Sequence, residues 1–340
     1  MEVRDADGHI IEGTESLVDY IDPAFREYGP ARGWRSYFPT DAWDRSVRGT
    51  LGERLGDAAG WAKALEEGRM ESTVLYPTNG LGIGWIREAD FAVALCRAYN
   101  DFFFDRFTSK DRRLQGVALL PLQDIPEAIK ELKRATQKLG AVGAMLPAVG
   151  LRKPLGHEDH WPLFEEAERL GVMLASHATV RGPHYYGADV FDRFIEVHTL
   201  SHAFAQMTQF ASLVFRGVPE RFPKLRIGFM EAGCSWLPFW IDRMDEEWEK
   251  RGALEAPECK HAPSEYVKRG SLYVSVESGE KSLAEVVRRF GDDNIVFASD
   301  LPHWDCEYPE NLHSIKSRPD LSESTKAKIL ATNVAKLYGL

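Results

Sequence analysis

Eight short runs rich in β-branched and apolar residues recur along the 340-residue chain, separated by segments with helical spacing, and this alternation restricts the fold more than any other feature. The runs cover residues 3–7, 72–76, 114–120, 142–146, 172–176, 225–230, 272–276 and 295–299. Between them, apolar residues fall on one helix face, as with Phe91, Ala94, Leu95 and Ala98, or Ile125, Ala128, Ile129 and Leu132. Strands that are continuously apolar belong to a parallel sheet covered by helices. Eight such units predict an α/β fold, a closed (β/α)₈ TIM barrel; pattern alone leaves an open doubly wound sheet as the alternative.

Two connections exceed a simple crossover. The first, residues 12–71 or so, contains the aromatic stretch between Trp34 and Trp43 and reads either as an insertion over the barrel mouth, a lid or subunit contact, or as a surface excursion. The second, residues 182–224, holds one extended helix over about 191–215. No internal repeat, low-complexity tract or linker divides the chain, so residues 1–340 read as a single domain. The formal charge of −10 argues against a nucleic-acid or anionic-membrane partner. No apolar run is long enough to span a bilayer, and the acidic N-terminus lacks the layout of a signal peptide. Cys96, Cys234, Cys259 and Cys306 are scattered, as expected of reduced thiols in a cytoplasmic protein. The expected partner is a small-molecule substrate, with assembly into a homo-oligomer or with a related subunit.

Barrel active sites are built at the C-terminal ends of the strands, and polar residues collect there. The first run leads into D-A-D-G-H, where alternation places Asp5, Asp7 and His9 on one face. His177 follows the fifth run, Glu231 the sixth, and Asp300 and then His303 the eighth. Each is an oxygen or nitrogen donor suited to a metal ion. His198 and His202 lie four apart on the helix before the sixth run, the spacing of H-E-x-x-H proteases, but the glutamate of that motif is missing. The plainer reading of Asp5 is a cap or turn former, and of His157, His160, His184, His198 and His261 a satisfied hydrogen-bonding group.

Three stretches carry a family resemblance: D-A-D-G-H near the start, R-F-P-K-L-R-I-G-F-M-E-A-G-C-S-W-L-P-F-W-I-D-R-M-D-E, and I-V-F-A-S-D-L-P-H-W-D. With them the chain resembles the amidohydrolase superfamily, in particular the amidohydrolase-related branch that includes aminocarboxymuconate-semialdehyde decarboxylase and the hydroxybenzoate decarboxylases. The resemblance implies that His9, His177 and Asp300 bind a catalytic metal and that Asp300 can activate bound water. Two positions depart from the pattern. Asp7 stands where the first histidine of H-x-H is found, and Glu231 where the decarboxylases often have histidine. Both replace a neutral nitrogen donor with an anionic oxygen donor, which favours harder ions and admits a second one, with Glu231, His202 and His303 as further ligands.

Three functions follow. One is a metal-dependent hydrolase or decarboxylase of a small carboxylated cyclic or aromatic compound. In it Asp7, His9, His177 and Asp300 hold one or two ions of Zn, Mn or Fe, Asp300 transfers protons with Glu231 or His202 assisting, and Arg181 pairs with the substrate carboxylate. The second keeps the site but makes it a dinuclear Fe or Mn oxygenase. The third is a non-catalytic subunit with a degraded site, supported only by the altered H-x-H.

Overall fold

The computed structural model describes residues 1–27, 37–38, 56–180 and 187–340. Eight parallel strands follow one another in chain order around a single sheet. They are β1 (Arg4–Ile10), β2 (Ser72–Pro77), β3 (Leu114–Leu119), β4 (Gly143–Pro147), β5 (Met173–His177), β6 (Ile227–Met230), β7 (Leu272–Val276) and β8 (Ile295–Phe297). Every residue of β2 and β4 to β8 is buried. Helices cover one face of each strand and barrel side chains the other, which is why the runs read as apolar throughout. The expected barrel is therefore the observed fold.

The sheet closes through β1 and the segment just past β8. The Asp300 amide donates to the Asp7 carbonyl at 2.9 Å, and the His9 amide to the Leu301 carbonyl at 2.7 Å. Beneath these bonds lies the buried carboxylate of Asp5. Its Oδ2 accepts from Thr73 Oγ1 at 2.7 Å and Ser299 Oγ at 2.8 Å, and its Oδ1 from the Ser299 amide at 2.8 Å. Asp5 thus stitches β1, β2 and the end of β8 together. Burial pushes its pKa up to about 6, although the bonds from Thr73 and Ser299 oppose the rise.

Simple alternation fails on β1. Asp5 pairs with Thr73 but Gly8 with Leu75, so β1 carries one extra residue there, a bulge that re-aims the strand. Gly8 sits where nothing larger fits: a Cβ would lie 2.6 Å from Trp61 Cη2 and 2.8 Å from Thr73 Oγ1. Trp61 belongs to the helix Ala58–Gly68, capped by Asp57, whose carboxylate accepts from the Gly60 amide at 2.8 Å. That helix precedes β2, so it fills the end of the connection read as an insertion over residues 12–71. Trp34, Trp43, Arg181 and His184 lie outside the described residues.

The long helix after β5 spans Phe194–Phe215. Its buried Gln206 donates Nε2 to the Ser176 carbonyl at 2.8 Å and the Met230 carbonyl at 2.7 Å, and accepts from Ser176 Oγ at 2.7 Å. It fixes the ends of β5 and β6 side by side, just below His177 and Glu231. Among the described residues no helix is long and apolar enough to cross a membrane.

Candidate metal centre

Closure and the Gln206 staple bring donors from four strand ends to one point. Asp7 Oδ1 lies 3.4 Å from His9 Nε2 and 3.3 Å from His177 Nε2. His9 Nε2 lies 3.4 Å from Asp300 Oδ1. Ligands bound to one ion at about 2.1 Å stand about 3.0–3.5 Å from each other, so these separations are the edges of a coordination shell. Asp7, His9 and His177 are fully buried, yet Asp7 Oδ2 and His9 Nε2 have no hydrogen-bond partner among the described residues. Unpaired buried polar atoms are costly and call for a partner, and this donor set fits a divalent cation.

The histidine tautomers agree. His9 Nδ1 faces the Pro77 carbonyl at 3.0 Å and His177 Nδ1 the Ala178 carbonyl at 2.8 Å. Each Nδ1 therefore carries a hydrogen, and each Nε2 is aimed at the cluster, where it can ligate once unprotonated.

Above this group stand Glu231, His202 and His303. His202 Nε2 is 3.4 Å from Glu231 Oε1. His303 Nδ1 is 2.6 Å from Asp300 Oδ1 and 3.6 Å from Glu231 Oε1. His198 lies further out on the same cavity as His202, its ring 4.9 Å from the His202 ring and its Nε2 3.6 Å from Asp305 Oδ2. Asp5, the other acidic residue of D-A-D-G-H, stays below the group and is committed to Thr73 and Ser299. Of the non-glycine residues described, only Arg69, Glu231 and Asp300 adopt positive φ, at 53°, 54° and 53°. Two of the three are carboxylates of this cluster, where backbone strain gathers when a side chain must be aimed.

Electrostatics divide the carboxylates. Burial would raise Glu231, but His202 first, then His303 and His177, hold it well below the usual range. Asp300 goes the other way: burial lifts it, His303 opposes, the charge on Glu231 adds to the rise, and it ends well above that range. Asp7 is held low against burial by His177 and His9. Burial and the neighbouring His303 bring His9 down to about 4, while His177, penalised by burial, is raised overall by Asp7 and Glu231. Carboxylates with pKa values pushed apart divide into an ionised member and a proton carrier.

A cavity of about 390 Å³ opens beside the cluster, lined in part by His202, Glu231, Glu277, Asp300 and Cys306. That is enough for a single-ring compound. Of the residues expected at the site, the structure gathers Asp7, His9, His177, His202, Glu231, Asp300 and His303; Arg181 is not among the described residues. Sequence reasoning missed Gln206, whose one signal is its place four residues after His202, on the same helix face.

Residues 69–340 match the family model described as amidohydrolase. The chain is 28% identical over 258 residues to the 2-amino-3-carboxymuconate-6-semialdehyde decarboxylase of Dictyostelium discoideum, covering 75% of this chain and 69% of that protein. It is 26% identical over 291 residues to the gamma-resorcylate decarboxylase of Rhodococcus jostii, covering 82% and 86%. The fold superposes, with TM-score 0.79 and 18% identity over 100% of this chain and 96% of the other, on the 5-carboxyvanillate decarboxylase of Novosphingobium aromaticivorans complexed with manganese and 4-hydroxy-3-methoxy-5-nitrobenzoic acid.

Proposed function

Because the chain belongs to the amidohydrolase family, we propose that it is a metal-dependent decarboxylase of a small carboxylated aromatic compound, with one divalent ion held by Asp7, His9, His177 and Asp300. The observation that carries this reading is the run of donors His177, Asp7, His9 and Asp300, 3.3–3.4 Å apart at each step, in which the buried Asp7 Oδ2 and His9 Nε2 have no hydrogen-bond partner among the described residues. Manganese is the first ion to test, being bound in the Novosphingobium relative and suited to mixed nitrogen and oxygen donors.

A bound divalent ion supplies Lewis acidity that fixes and polarises a substrate oxygen. The chain supplies the rest. Loss of CO₂ breaks a carbon–carbon bond and leaves its electron pair on the ring carbon, which must take up a proton. Asp300, whose Oδ1 lies 2.6 Å from His303 Nδ1, is placed to relay that proton, and Glu231 with His202 at 3.4 Å forms the adjoining acid–base pair. Glu277 and Cys306 line the wall of the same cavity. Arg181, next along from the strand-five loop, is the candidate to meet the substrate carboxylate.

A dinuclear oxygenase is less well supported. The second donor group, His9, Glu231, Asp300 and His303, overlaps the proposed ligand set at both His9 and Asp300, and an imidazole nitrogen has one lone pair for one ion. The relatives reported above are decarboxylases. Nor does the altered H-x-H argue for a degraded site, since Asp7 places a carboxylate 3.3 Å from His177. The test is elemental analysis of protein purified without chelator, followed by CO₂ release from a panel of hydroxybenzoates. The reading requires about one ion per chain, loss of the ion in His177→Ala, and loss of turnover in Asp300→Asn. Equal metal content in wild type and His177→Ala sinks it.

A further inference from the structure

The geometry points to a positioning chain of three residues outside the ion's shell: Glu12, Thr78 and His303, acting in series on Asp300. The inference rests on the reading of Asp300 as a ligand. His9 and His177 each give one ring nitrogen to a backbone carbonyl and turn the other to the cluster. His303 differs, because both of its nitrogens are engaged by side chains. Nδ1 donates to Asp300 Oδ1 at 2.6 Å, and Nε2 lies 3.0 Å from Thr78 Oγ1. No lone pair is left for an ion. The ring packs over His9, with centroids 4.0 Å apart.

Thr78 is itself held. Its amide donates to Glu12 Oε2 at 3.1 Å, and the Gly80 amide donates to Glu12 Oε1 at 2.6 Å. The Asn79 side-chain amide donates to the Glu12 carbonyl. Glu12 is 1% exposed and plays no part in the proposed chemistry, yet it spends both carboxylate oxygens on the turn just past β2. The series therefore runs from the end of β1, through the end of β2, to the loop after β8. It ends on a residue whose backbone is already in the left-handed region, at φ 53°. A strained backbone needs its side chain pinned if the same oxygen is always to face the ion, and outer-shell bonds of this kind orient ligands.

Mn²⁺ alone is the probe. Pulsed EPR of the Mn²⁺-loaded wild type should count two ligating imidazole nitrogens, from His9 and His177; three overturns the inference. His303→Ala should raise the Mn²⁺ dissociation constant about 10- to 100-fold, with a matching fall in kcat and little change in KM. In His303→Asn the amide reaches the place of Nδ1 and should restore most of the affinity, whereas the His303→Gln amide reaches the place of Nε2 and should not. Thr78→Val and Glu12→Gln should give smaller losses, and Thr78→Ser almost none. Wild-type affinity in His303→Ala, or equal behaviour of the Asn and Gln variants when both melt like wild type, overturns the series and leaves the ligand set intact. A wild type that binds no Mn²⁺ overturns the ligand set, and the series with it.

Discussion

Replacing Gly8 by alanine adds one methyl group to the strand that carries Asp7 and His9. That methyl meets Trp61 Cη2 at 2.6 Å and Thr73 Oγ1 at 2.8 Å. Carbon atoms pack at about 3.5–4.0 Å, so β1 or the indole must move by about 1 Å. Overpacking of this kind costs about 1–3 kcal/mol. Unfolding entropy for a chain of this length is about 0.7 kcal/mol/K, so the melting temperature should fall by about 1–4 °C. The effect on the site should be larger in proportion, because ligands must stay within about 0.5 Å of their places. We expect Mn²⁺ affinity to drop about 10- to 100-fold, measured by calorimetric titration beside a thermal melt. Trp61→Phe supplies the control: it removes the offending carbon and an indole N–H that has no hydrogen-bond partner among the described residues. In that background Gly8→Ala should cost less than half as much, a coupling read from the double-mutant cycle. A Gly8→Ala protein that melts and binds Mn²⁺ like wild type refutes the reasoning, as does a cycle with no coupling.

Three further outcomes are expected. His177 sits above its ordinary pKa beside Asp7 and must shed its Nε2 proton to ligate, so Mn²⁺ affinity should rise about tenfold per pH unit until that pKa is passed and then level off. Affinity independent of pH between 5.5 and 7.5 contradicts this. Asp5 is raised from 3.8 to about 6, so the native state binds the extra proton and the contribution of Asp5 to stability falls as pH rises through that window, by about 3 kcal/mol at most. Urea melts of wild type against Asp5→Asn should show the difference shifting against wild type between pH 4 and 6.5, and a constant difference counts against it. Gln206→Ala leaves the Ser176 and Met230 carbonyls without their donor, and two lost buried bonds should cost about 2–4 kcal/mol and loosen Mn²⁺ binding, read by the same melts and titrations.

The barrel was legible because parallel strands are buried on both faces, so each announces itself as an apolar run whatever its neighbours. The cluster was legible for the same reason: Asp7, His9, His177, Glu231 and Asp300 stand where such a run stops, and the family resemblance then gave His9, His177 and Asp300 a metal to bind. Asp5 shows where this reasoning ended. Alternation assigns it to the face of Asp7 and His9, but the bulge before Gly8 breaks the alternation and Thr73 and Ser299 take its carboxylate. The eighth run reads as five residues, yet β8 stops at Phe297, because the segment beyond it is drawn to Asp5 and to the Asp7 carbonyl. Gln206, Thr78 and Glu12 are ordinary polar residues in sequence. Their roles come from partners 24 to 225 positions away, which no local pattern encodes.

The closing bonds between β1 and the segment after β8 have a consequence for how the chain matures. Ser299 meets Asp5 across 294 positions, so closing the barrel joins the two ends of the chain and carries the entropy cost of its longest loop closure. The proposed ion draws its ligands from both sides of that seam. The full proposed ligand set forms only with the seam shut, so by mass action a bound ion would favour the shut form, by about 2.7 kcal/mol at a concentration one hundred times its dissociation constant. An ion held by residues on both sides of the seam would act as a latch on the closed barrel.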